Sequence, residues 1–290
     1  MSSIHYPYII EHNPYQKLLI SSLNSKRYHS KGLNGSLIDL LKTSIDSDYD
    51  ILHLHWLHGI SASKGNLRTI VRLVIFILSL LIWRIRFKKI VWTVHNIHNH
   101  EKKRLMLDLL LSKLVTILSE RLFVHSSNSI KKVFNVFNCP KNKVKIIPHG
   151  NYNKLIQVET IRSEKQNFNY LFFGLIRPYK GVLGLIEAFK KINNKSTLTI
   201  SGLCKSKSYK NKIIQAINSD NRIIFDDSFI TQSKLNELLF NADVVVHPFI
   251  DSFTSGSLIM SLSAGKPLII PSFMKTNEYS DDSNSFIYDI

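Results

Sequence analysis

The segment Tyr170–Gly181 has the residue types and spacing to bind an anion. Its sequence, YLFFGLIRPYKG, predicts a short apolar strand that ends at Gly174 and a turn that carries Arg177 and Lys180. An amphipathic helical run follows. Since a helix N-terminus presents unpaired N–H groups and a positive dipole end, two cations beside it indicate a site for a phosphate or diphosphate. An ordinary β–α turn with two surface cations is the alternative.

A second segment in the same half of the chain supports this interpretation. The loop Phe253–Ser257 (FTSGS) follows the apolar strand at 243–247 and begins another predicted helix. Small residues at a helix start let the backbone approach a phosphate closely. The two segments together predict an anion site that contains Gly174, Arg177, Lys180, Thr254, Ser255, Gly256 and Ser257.

The first half of the chain carries histidines and amides where its predicted strands end. Four loops share this feature: 11–13, 55–58, 95–100 and 125–127. A metal site is one interpretation, because His53 and His55 share a strand face and three histidines crowd the loop 95–100. Only Glu101 stands at ligand spacing and no H-E-x-x-H motif occurs, so we expect no metal. Neutral imidazoles and amides suit hydrogen bonds to a hydroxyl-rich ligand.

Strands and helices alternate along the whole chain, which predicts an α/β protein with parallel, doubly wound sheets. The polar, aperiodic stretch 151–169 separates two such series. We therefore predict an N-terminal domain at 1–155 and a C-terminal domain at 156–290. In sheets of this kind, ligands bind at the carboxyl ends of the strands.

Length and composition fit an intracellular globular protein. The chain has 290 residues, of which 44% are apolar, enough for two cores. Cys139 and Cys204 are isolated from one another in sequence, which favours a reducing compartment over a disulfide framework. The first residues show no charged segment followed by an apolar one, so we expect no secretion signal and a cytoplasmic location.

The formal net charge of +17 indicates an anionic partner, unless it reflects only a Lys- and Asn-rich composition. Much of the excess lies between Lys64 and Lys145 and alternates with apolar runs, which favours a membrane surface over nucleic acid. The run Leu73–Trp83 is too short to span about 30 Å of hydrocarbon. It predicts either a buried helix or a helix in the membrane interface, with Arg84, Arg86, Lys88 and Lys89 on anionic head groups.

Several of these motifs, in this order, resemble those of GT-B glycosyltransferases of family 4, in particular the bacterial enzymes of capsule and exopolysaccharide biosynthesis. The motifs are NPYQ at 13–16, WTVHN at 92–96, IPHG at 147–150, FGLIRPYKG at 173–181, SGS at 255–257 and AGKP at 264–267. The resemblance implies two Rossmann-like domains that face a cleft. It also implies a nucleotide-sugar donor on the C-terminal domain, a lipid-linked saccharide acceptor on the N-terminal domain, and retaining transfer without a metal ion or cofactor.

The resemblance also implies roles for individual residues. Lys180 corresponds to the diphosphate-binding lysine of the family, with Arg177 as its partner cation. His95 corresponds to the histidine that faces the donor sugar or the acceptor, so the catalytic set is His95, Arg177 and Lys180. The acceptor-binding set that we expect is His12, Asn13, His58, Asn96, His125 and His149. The expected location is the inner face of the cell membrane.

Three features depart from the family. Its cation commonly follows the glycine directly, where this chain has Leu175, so Arg177 must reach from a shifted position. Ser252 and Met260 occupy the positions of its paired glutamates, of which the second normally holds the ribose; Asp251 is the nearest replacement for the first. The family also continues for several more elements, whereas this chain ends at Ile290, which indicates a short form or an incomplete C-terminal domain. A catalytically inactive binding or scaffold protein and a nucleotide-sugar epimerase are therefore alternatives to a transferase.

Overall fold

The computed structural model describes residues 1–9, 13–34, 36–61, 65–86, 88–97, 104–156, 167–276 and 278–289. The chain forms two compact units, Met1–Gly150 and Asn151–Ile290. This boundary lies five residues before the predicted one. The reason is that residues 152–155 belong to the second unit: the Tyr152 N–H donates to Ser263 Oγ, and the Leu155 carbonyl accepts from Gln232.

The first unit contains a six-stranded parallel sheet in its described part, in the order β2-β1-β3-β4-β5-β6. Its strands are β1 (Ser2–Tyr6), β2 (His29–Gly32), β3 (Ile51–Leu54), β4 (Lys89–Thr93), β5 (Arg121–Val124) and β6 (Val144–Ile146). Its helices are α1 (Tyr15–Ser25), α2 (Leu37–Asp46), α3 (His58–Ser61), α4 (Asn66–Ile85), α5 (Leu105–Leu118) and α6 (Ser127–Phe137). Leu52, Ile90 and Leu122, on the neighbouring strands β3, β4 and β5, are fully buried.

The second unit contains another parallel sheet of six described strands, in the order β12-β11-β10-β7-β8-β9. Its strands are β7 (Phe168–Phe173), β8 (Ser196–Ser201), β9 (Ile223–Asp226), β10 (Val244–Val246), β11 (Leu268–Pro271) and β12 (Ser285–Tyr288). Its helices are α7 (Val182–Lys190), α8 (Lys207–Ile217), α9 (Gln232–Asn241) and α10 (Gly256–Ser263). The predicted class, α/β with two parallel Rossmann-like sheets, is confirmed.

Three local predictions differ from the structure. The sequence predicts a first strand over residues 4–10, but β1 ends at Tyr6, because Pro7 has no N–H to continue the ladder. The polar loop after β3 contains the short helix α3. The strand β12 was not predicted; only one face of this four-residue segment is buried, and pairing with β11 supplies its stability.

Helix α4 is buried on one side and exposed on the other. Phe76, Leu80 and Trp83 are fully buried in the first unit. The opposite side forms an apolar stripe, which we define by its residues and their exposed fractions: Leu67 77%, Ile70 57%, Val71 48%, Val74 49%, Leu78 45%, Leu81 39% and Ile85 73%. By length and composition alone, this 20-residue helix is long and apolar enough to cross a membrane, whereas the shorter run Leu73–Trp83 is not. The buried side agrees with the buried-helix interpretation, and the interfacial interpretation of the exposed side stays a prediction.

Candidate functional site

In the second unit, the structure brings Lys180 to the end of β7, beside the start of α10. A Cβ at Gly174 would lie 3.7 Å from Lys180 Nζ and 4.0 Å from Ser257 Cβ. Lys180 ends a short turn that begins at Pro178, and its N–H donates to the Arg177 carbonyl at 2.9 Å. The two predicted anion loops therefore meet around Gly174.

Two close contacts between backbone segments fix the position of the turn that carries Lys180. Gly174 has φ 109°, and a Cβ at Gly202 would lie 2.0 Å from the Gly174 carbonyl oxygen. Gly181, with φ 68°, approaches Pro248 so closely that a Cβ there would lie 1.8 Å from the Pro248 oxygen. Only glycine fits at positions 181 and 202 without a backbone shift. The turn that carries Lys180 is thereby held against the ends of two neighbouring strands.

The ammonium group of Lys180 is buried beside an aromatic ring and near a second cation. Its Nζ lies 4.6 Å from the centre of the Phe249 ring. Burial of the ammonium group, followed by repulsion from Arg177, lowers the pKa of Lys180 from 10.5 to about 8. A desolvated ammonium binds an anion more strongly than one in water does, because the interaction is less screened. Lys180 is therefore suited to a diphosphate.

His247 lies close to this lysine and was not predicted as a site residue. Its Nε2 lies 3.2 Å from Ser261 Oγ, whose proton goes to the Ser257 carbonyl, so His247 Nε2 donates. Its Nδ1 is buried without a partner among the described residues. Burial, followed by the charge of Lys180, lowers the pKa of His247 to about 3, so the ring is neutral at pH 7. The position of His247 at the end of β10 was the available signal.

The N-terminus of α10 contains the remaining small residues of the predicted anion site. Ser255 is the N-cap: its Oγ accepts from the Leu258 N–H at 3.3 Å and lies 3.0 Å from Ser257 Oγ. The hydroxyl of Thr254 is buried with no partner in the part of the chain that the structure describes. A Cβ at Gly256 would lie 3.5 Å from the Tyr152 hydroxyl. This helix end thus offers N–H groups and an unsatisfied hydroxyl to a ligand.

The positions of the missing glutamates have different environments. Met260 is buried, with 6% of its surface exposed, and packs in the core of the second unit. Ser252 is partly exposed and Asp251 is exposed. The Asp251 carboxylate is close enough to raise the pKa of Tyr179, although burial is the larger cause of that increase. Asp251 therefore lies on the same loop edge as the anion site.

Among the described residues of the first unit, six histidines form one group near the carboxyl ends of the parallel strands. This histidine cluster consists of His5, His53, His55, His95, His125 and His149. Its neighbouring ring centres are 4.3 to 5.5 Å apart. Burial lowers the pKa of every member; those of His5 and His149 fall to about 4. The cluster is therefore neutral at pH 7 and can donate or accept hydrogen bonds without charge.

Tyr15 packs against the three members of the cluster that lie in loops, which are His95, His125 and His149. Its ring centre is 5.0 Å from that of His95, 5.4 Å from that of His125 and 4.8 Å from that of His149. The His125 Nδ1 donates to the Ile147 carbonyl at 2.9 Å, so its buried Nε2 is an acceptor, without a partner among the described residues. His95 is stacked on Trp56 at 4.2 Å. The structure thus brings together the predicted residues His95, His125 and His149.

Of the other four residues of the predicted acceptor set, the structure describes three. His12 lies outside the described residues. Asn13 Oδ1 accepts from the Tyr15 N–H at 3.0 Å, next to the start of α1. His58 Nδ1 is 3.7 Å from Asp108, a buried carboxylate on α5 that sequence reasoning missed. Asn96 is partly exposed directly after His95.

His5 and Tyr15 are further residues that sequence reasoning missed. His5 is fully buried in β1 and pairs in register with His53 on β3. The alternation in the segment SSIHY was the available signal, since it places Ser3 and His5 on one face. Tyr15 was part of a family motif, but its side chain had no assigned role. The nitrogens of His5, His53 and His55 lie within 4.8 Å of one another, which makes these three a candidate metal group.

Comparison with known proteins finds a family model that matches most of the second unit. Residues 167–289 match the model of the family Glycosyl transferases group 1. Over 232 residues the chain is 24% identical to a GDP-mannose:glycolipid 4-beta-D-mannosyltransferase of Xanthomonas campestris pv. campestris. This alignment covers 80% of the chain and 64% of the relative. The chain therefore spans less than two thirds of that relative's length.

Solved structures share the fold of the whole chain. HepE of Anabaena, in complex with UDP and glucose, has a TM-score of 0.71 and 15% identity, and the match covers 100% of this chain and 86% of HepE. WaaG, a glycosyltransferase involved in lipopolysaccharide biosynthesis, has a TM-score of 0.66 and 13% identity, with coverage of 100% and 86%. The two Rossmann-like domains that were predicted for a GT-B protein are confirmed by these matches.

Proposed function

We propose that this protein is a glycosyltransferase that moves a sugar from a nucleoside-diphosphate sugar to a lipid-linked saccharide. The observation that carries the proposal is the position of Lys180 Nζ, beside Gly174 and the N-terminus of α10. This site lies inside the segment that matches Glycosyl transferases group 1. The similarity to a glycolipid mannosyltransferase and to the fold of HepE supports the same class.

In this proposal the second unit binds the donor. Charge develops on the diphosphate as the bond to the sugar breaks, and fixed cations and N–H groups stabilise it there. Lys180, Arg177 and the first turn of α10 supply these groups, and the hydroxyls of Thr254 and Ser257 add hydrogen bonds. The resemblance in sequence implies that the transfer retains the anomeric configuration and needs no metal ion.

The first unit binds the acceptor in this proposal. The rings of His95, His125 and His149 are neutral. His95 Nε2 is bonded to His55 and His125 Nδ1 donates to Ile147, so His95 offers Nδ1 and His125 offers Nε2 to sugar hydroxyls. The unsatisfied Nε2 of buried His125 supports this role, because a buried acceptor without a partner costs free energy until a ligand donates to it. We propose capsule or exopolysaccharide synthesis at the inner face of the cell membrane as the setting.

The Lys180→Ala variant tests the donor site. Transfer is measured with UDP-, GDP- and dTDP-sugars and extracted lipid acceptors. We expect loss of about 2–4 kcal/mol of transition-state stabilisation, as for removal of one preorganised donor. The exposed Lys191, on the same unit after α7, provides a matched control as Lys191→Ala. Unimpaired transfer by Lys180→Ala would contradict the assignment.

A catalytically inactive sugar-nucleotide-binding protein is the second candidate, and Met260 favours it. The buried thioether cannot form the ribose hydrogen bonds that a carboxylate forms. A thermal-shift screen with sugar nucleotides separates the two candidates, because a ligand at 100 times its Kd stabilises the fold by about 2.7 kcal/mol whether or not turnover follows. Stabilisation without any transfer would favour the inactive protein.

We further propose that the apolar stripe of α4 docks on an anionic membrane. Seven exposed apolar side chains in helical spacing are unusual for a surface that faces only water. Met106, Leu110 and Ile117 on α5 are 61% to 73% exposed as well. Arg68 and Arg84, on α4, and Lys113, on α5, are exposed cations for phosphate head groups.

Three of the four cations that were expected to contact lipid head groups have partners within the first unit instead. Arg86 donates to the carbonyls of Ser44 and Ile45, and Lys88 donates to the Ser47 carbonyl. Lys89 lies 3.8 Å from Glu120. Arg86 and Lys88 therefore bind the end of α2, and Lys89 pairs with a residue next to β5. The membrane proposal rests on the stripe and on Arg68, Arg84 and Lys113 instead.

A further inference from the structure

A continuous line of hydrogen bonds runs through the histidine cluster from Ser3 to His95. His5 Nε2 lies 3.2 Å from Ser3 Oγ, and His5 Nδ1 lies 3.1 Å from His55 Nε2. His55 Nδ1 in turn lies 3.2 Å from His95 Nε2. We call Ser3, His5, His55 and His95 the imidazole chain. It uses both nitrogens of its two inner rings and leaves Nδ1 of His95 available to a ligand.

The ring geometry is that of hydrogen bonds in the ring plane. His5 and His55 have an interplanar angle of 21°, and their ring centres are 5.4 Å apart, about one ring width more than the N···N distance. His55 and His95 repeat this geometry at 26° and 5.5 Å. Nitrogen lone pairs and N–H bonds lie in the plane of the ring, so these pairs are aligned for N–H···N bonds.

The same geometry disfavours a metal ion among His5, His53 and His55. His53 lies face to face with His55, with ring centres 4.3 Å apart and an angle of 24°. A metal ion binds an imidazole in the plane of the ring, because the nitrogen lone pair lies there. Since His53 and His55 are stacked, an ion in the plane of one ring lies above the face of the other and cannot bind its lone pair. His53 Nε2 is bonded to Thr93 Oγ1 at 2.7 Å, outside the imidazole chain. His53 therefore packs against the chain without belonging to it.

The imidazole chain has two arrangements of protons in which every one of its hydrogen bonds has a donor and an acceptor. A neutral imidazole has one N–H and one lone pair, so each ring must donate on one side and accept on the other. In the first arrangement every ring is protonated at Nδ1, and His95 presents an N–H to a ligand. In the second every ring is protonated at Nε2, and His95 presents a lone pair. The Ser3 hydroxyl, bonded to Ser30 Oγ at 2.8 Å, can complete either.

We propose that His5 and His55 are positioning residues for His95, and that their linked hydrogen bonds set which nitrogen of His95 carries the proton. In the exchange from the second arrangement to the first, His95 Nδ1 takes up a proton and each Nε2 proton passes to the next acceptor, from His95 to His55, from His55 to His5 and from His5 to Ser3 Oγ. The hydroxyl proton that Ser3 held before goes to solvent, because Ser3 is partly exposed. No ring becomes charged, which suits an interior that strongly disfavours imidazolium. His95 can then donate to one sugar hydroxyl or accept from another.

This inference rests on the proposed function only for the identity of the ligand. The coupling itself is a property of the first unit and is measurable without any substrate. The tautomer of each ring is read from long-range ¹H–¹⁵N correlation spectra of protein labelled at histidine nitrogen, with assignments from single His→Gln variants.

The His5→Phe variant breaks the chain one ring away from His95. His55 Nε2 then loses its partner, and a buried lone pair without a partner costs less than a buried N–H without one. We expect His55 to be protonated at Nδ1 and His95 to be held as the Nδ1–H tautomer. His5→Asn should restore exchange, because its amide presents either N–H or C=O to His55.

His53→Phe is the matched control, since His53 is the register partner of His5 and packs on the same rings. We expect it to leave the His95 tautomers unchanged and transfer within about twofold. In His5→Phe we expect kcat to fall about tenfold at an unchanged donor KM, as for loss of an orienting partner. An unchanged His95 spectrum in His5→Phe, or the same change in His53→Phe, overturns the proposal.

Two further outcomes are decisive. Stoichiometric Zn²⁺ binding by the wild type that is lost in His53→Phe would overturn the imidazole chain in favour of a metal site. Absence of transfer with every donor would refute the proposed function alone, while the spectra would still decide the coupling.

Discussion

The ammonium group of Lys180 lies over the face of the Phe249 ring, 4.6 Å from its centre. A lysine with a pKa of about 8 is charged below that pH and loses its charge as the pH rises through 8. Bound diphosphate stabilises the charged form. We therefore expect affinity for a nucleoside diphosphate to be highest below pH 8 and to fall above it, by up to about tenfold per pH unit. Calorimetric titrations across this range measure the effect.

The control for this prediction is Lys180→Arg. A guanidinium remains charged throughout this range, so its affinity should show little pH dependence, even if altered geometry lowers it. If the wild type and Lys180→Arg have parallel pH profiles, a group other than Lys180 is responsible.

Gly202→Ala should destabilise the second unit. The new Cβ would lie 2.0 Å from the Gly174 carbonyl oxygen, and φ at this position is 144°. We expect a loss of about 2 kcal/mol or more in the free energy of unfolding, measured in urea. Gly184→Ala in α7 is the control: a Cβ there meets nothing within 4 Å and should stabilise the helix by about 0.5–1 kcal/mol. Equal effects would show that the close approach is absent.

Met260→Glu should not restore a ribose ligand. Because Met260 is buried, a carboxylate there would be desolvated, and we expect a loss of about 3 kcal/mol or more in stability. Met260→Leu conserves volume and should cost less than about 1.5 kcal/mol. Thermal unfolding with and without sugar nucleotides distinguishes the possibilities. A Met260→Glu protein that is stable and binds nucleotide more tightly would refute the core assignment.

Replacing Val74, Leu78 and Leu81 by serine should weaken binding to anionic vesicles. Each of these side chains is 39% to 49% exposed, so the free protein should keep its fold. Full burial of such a side chain contributes about 1.5–3 kcal/mol. We expect at least a tenfold drop in co-sedimentation with phosphatidylglycerol vesicles. Ile214→Ser with Ile224→Ser, at comparably exposed positions of the second unit, should leave sedimentation unchanged. Unchanged binding by the α4 variant would exclude the stripe as the docking surface.

Much of the fold was predictable because its strands are continuous apolar runs between helical patterns. The sequence predicts a strand over residues 196–201 and a helix over residues 207–217, and the structure has β8 at Ser196–Ser201 and α8 at Lys207–Ile217. The strand β12 was missed because its stability comes from pairing with β11 rather than from its own pattern. Local sequence does not encode that partner.

The candidate sites were predictable where a motif joins a strand to a helix, as with Lys180 and Ser257. The imidazole chain was not, because it depends on the register between β1 and β3, which pairs His5 with His53. The histidines of the loop 98–100, which crowded the sequence pattern, lie outside the described residues. Asp108 was missed because a helical carboxylate that faces His58 looks like a surface residue in sequence.

Each parallel sheet draws its described strands from one unit only. All six strands of the first sheet are complete by Ile146, before the second unit begins at Asn151. A nascent chain can therefore close the histidine cluster, whose last member is His149, while the second unit is still being synthesised. Domains generally fold as units during translation, N-terminal first. Stalled ribosome complexes of increasing length should thus acquire protease resistance in two separate steps.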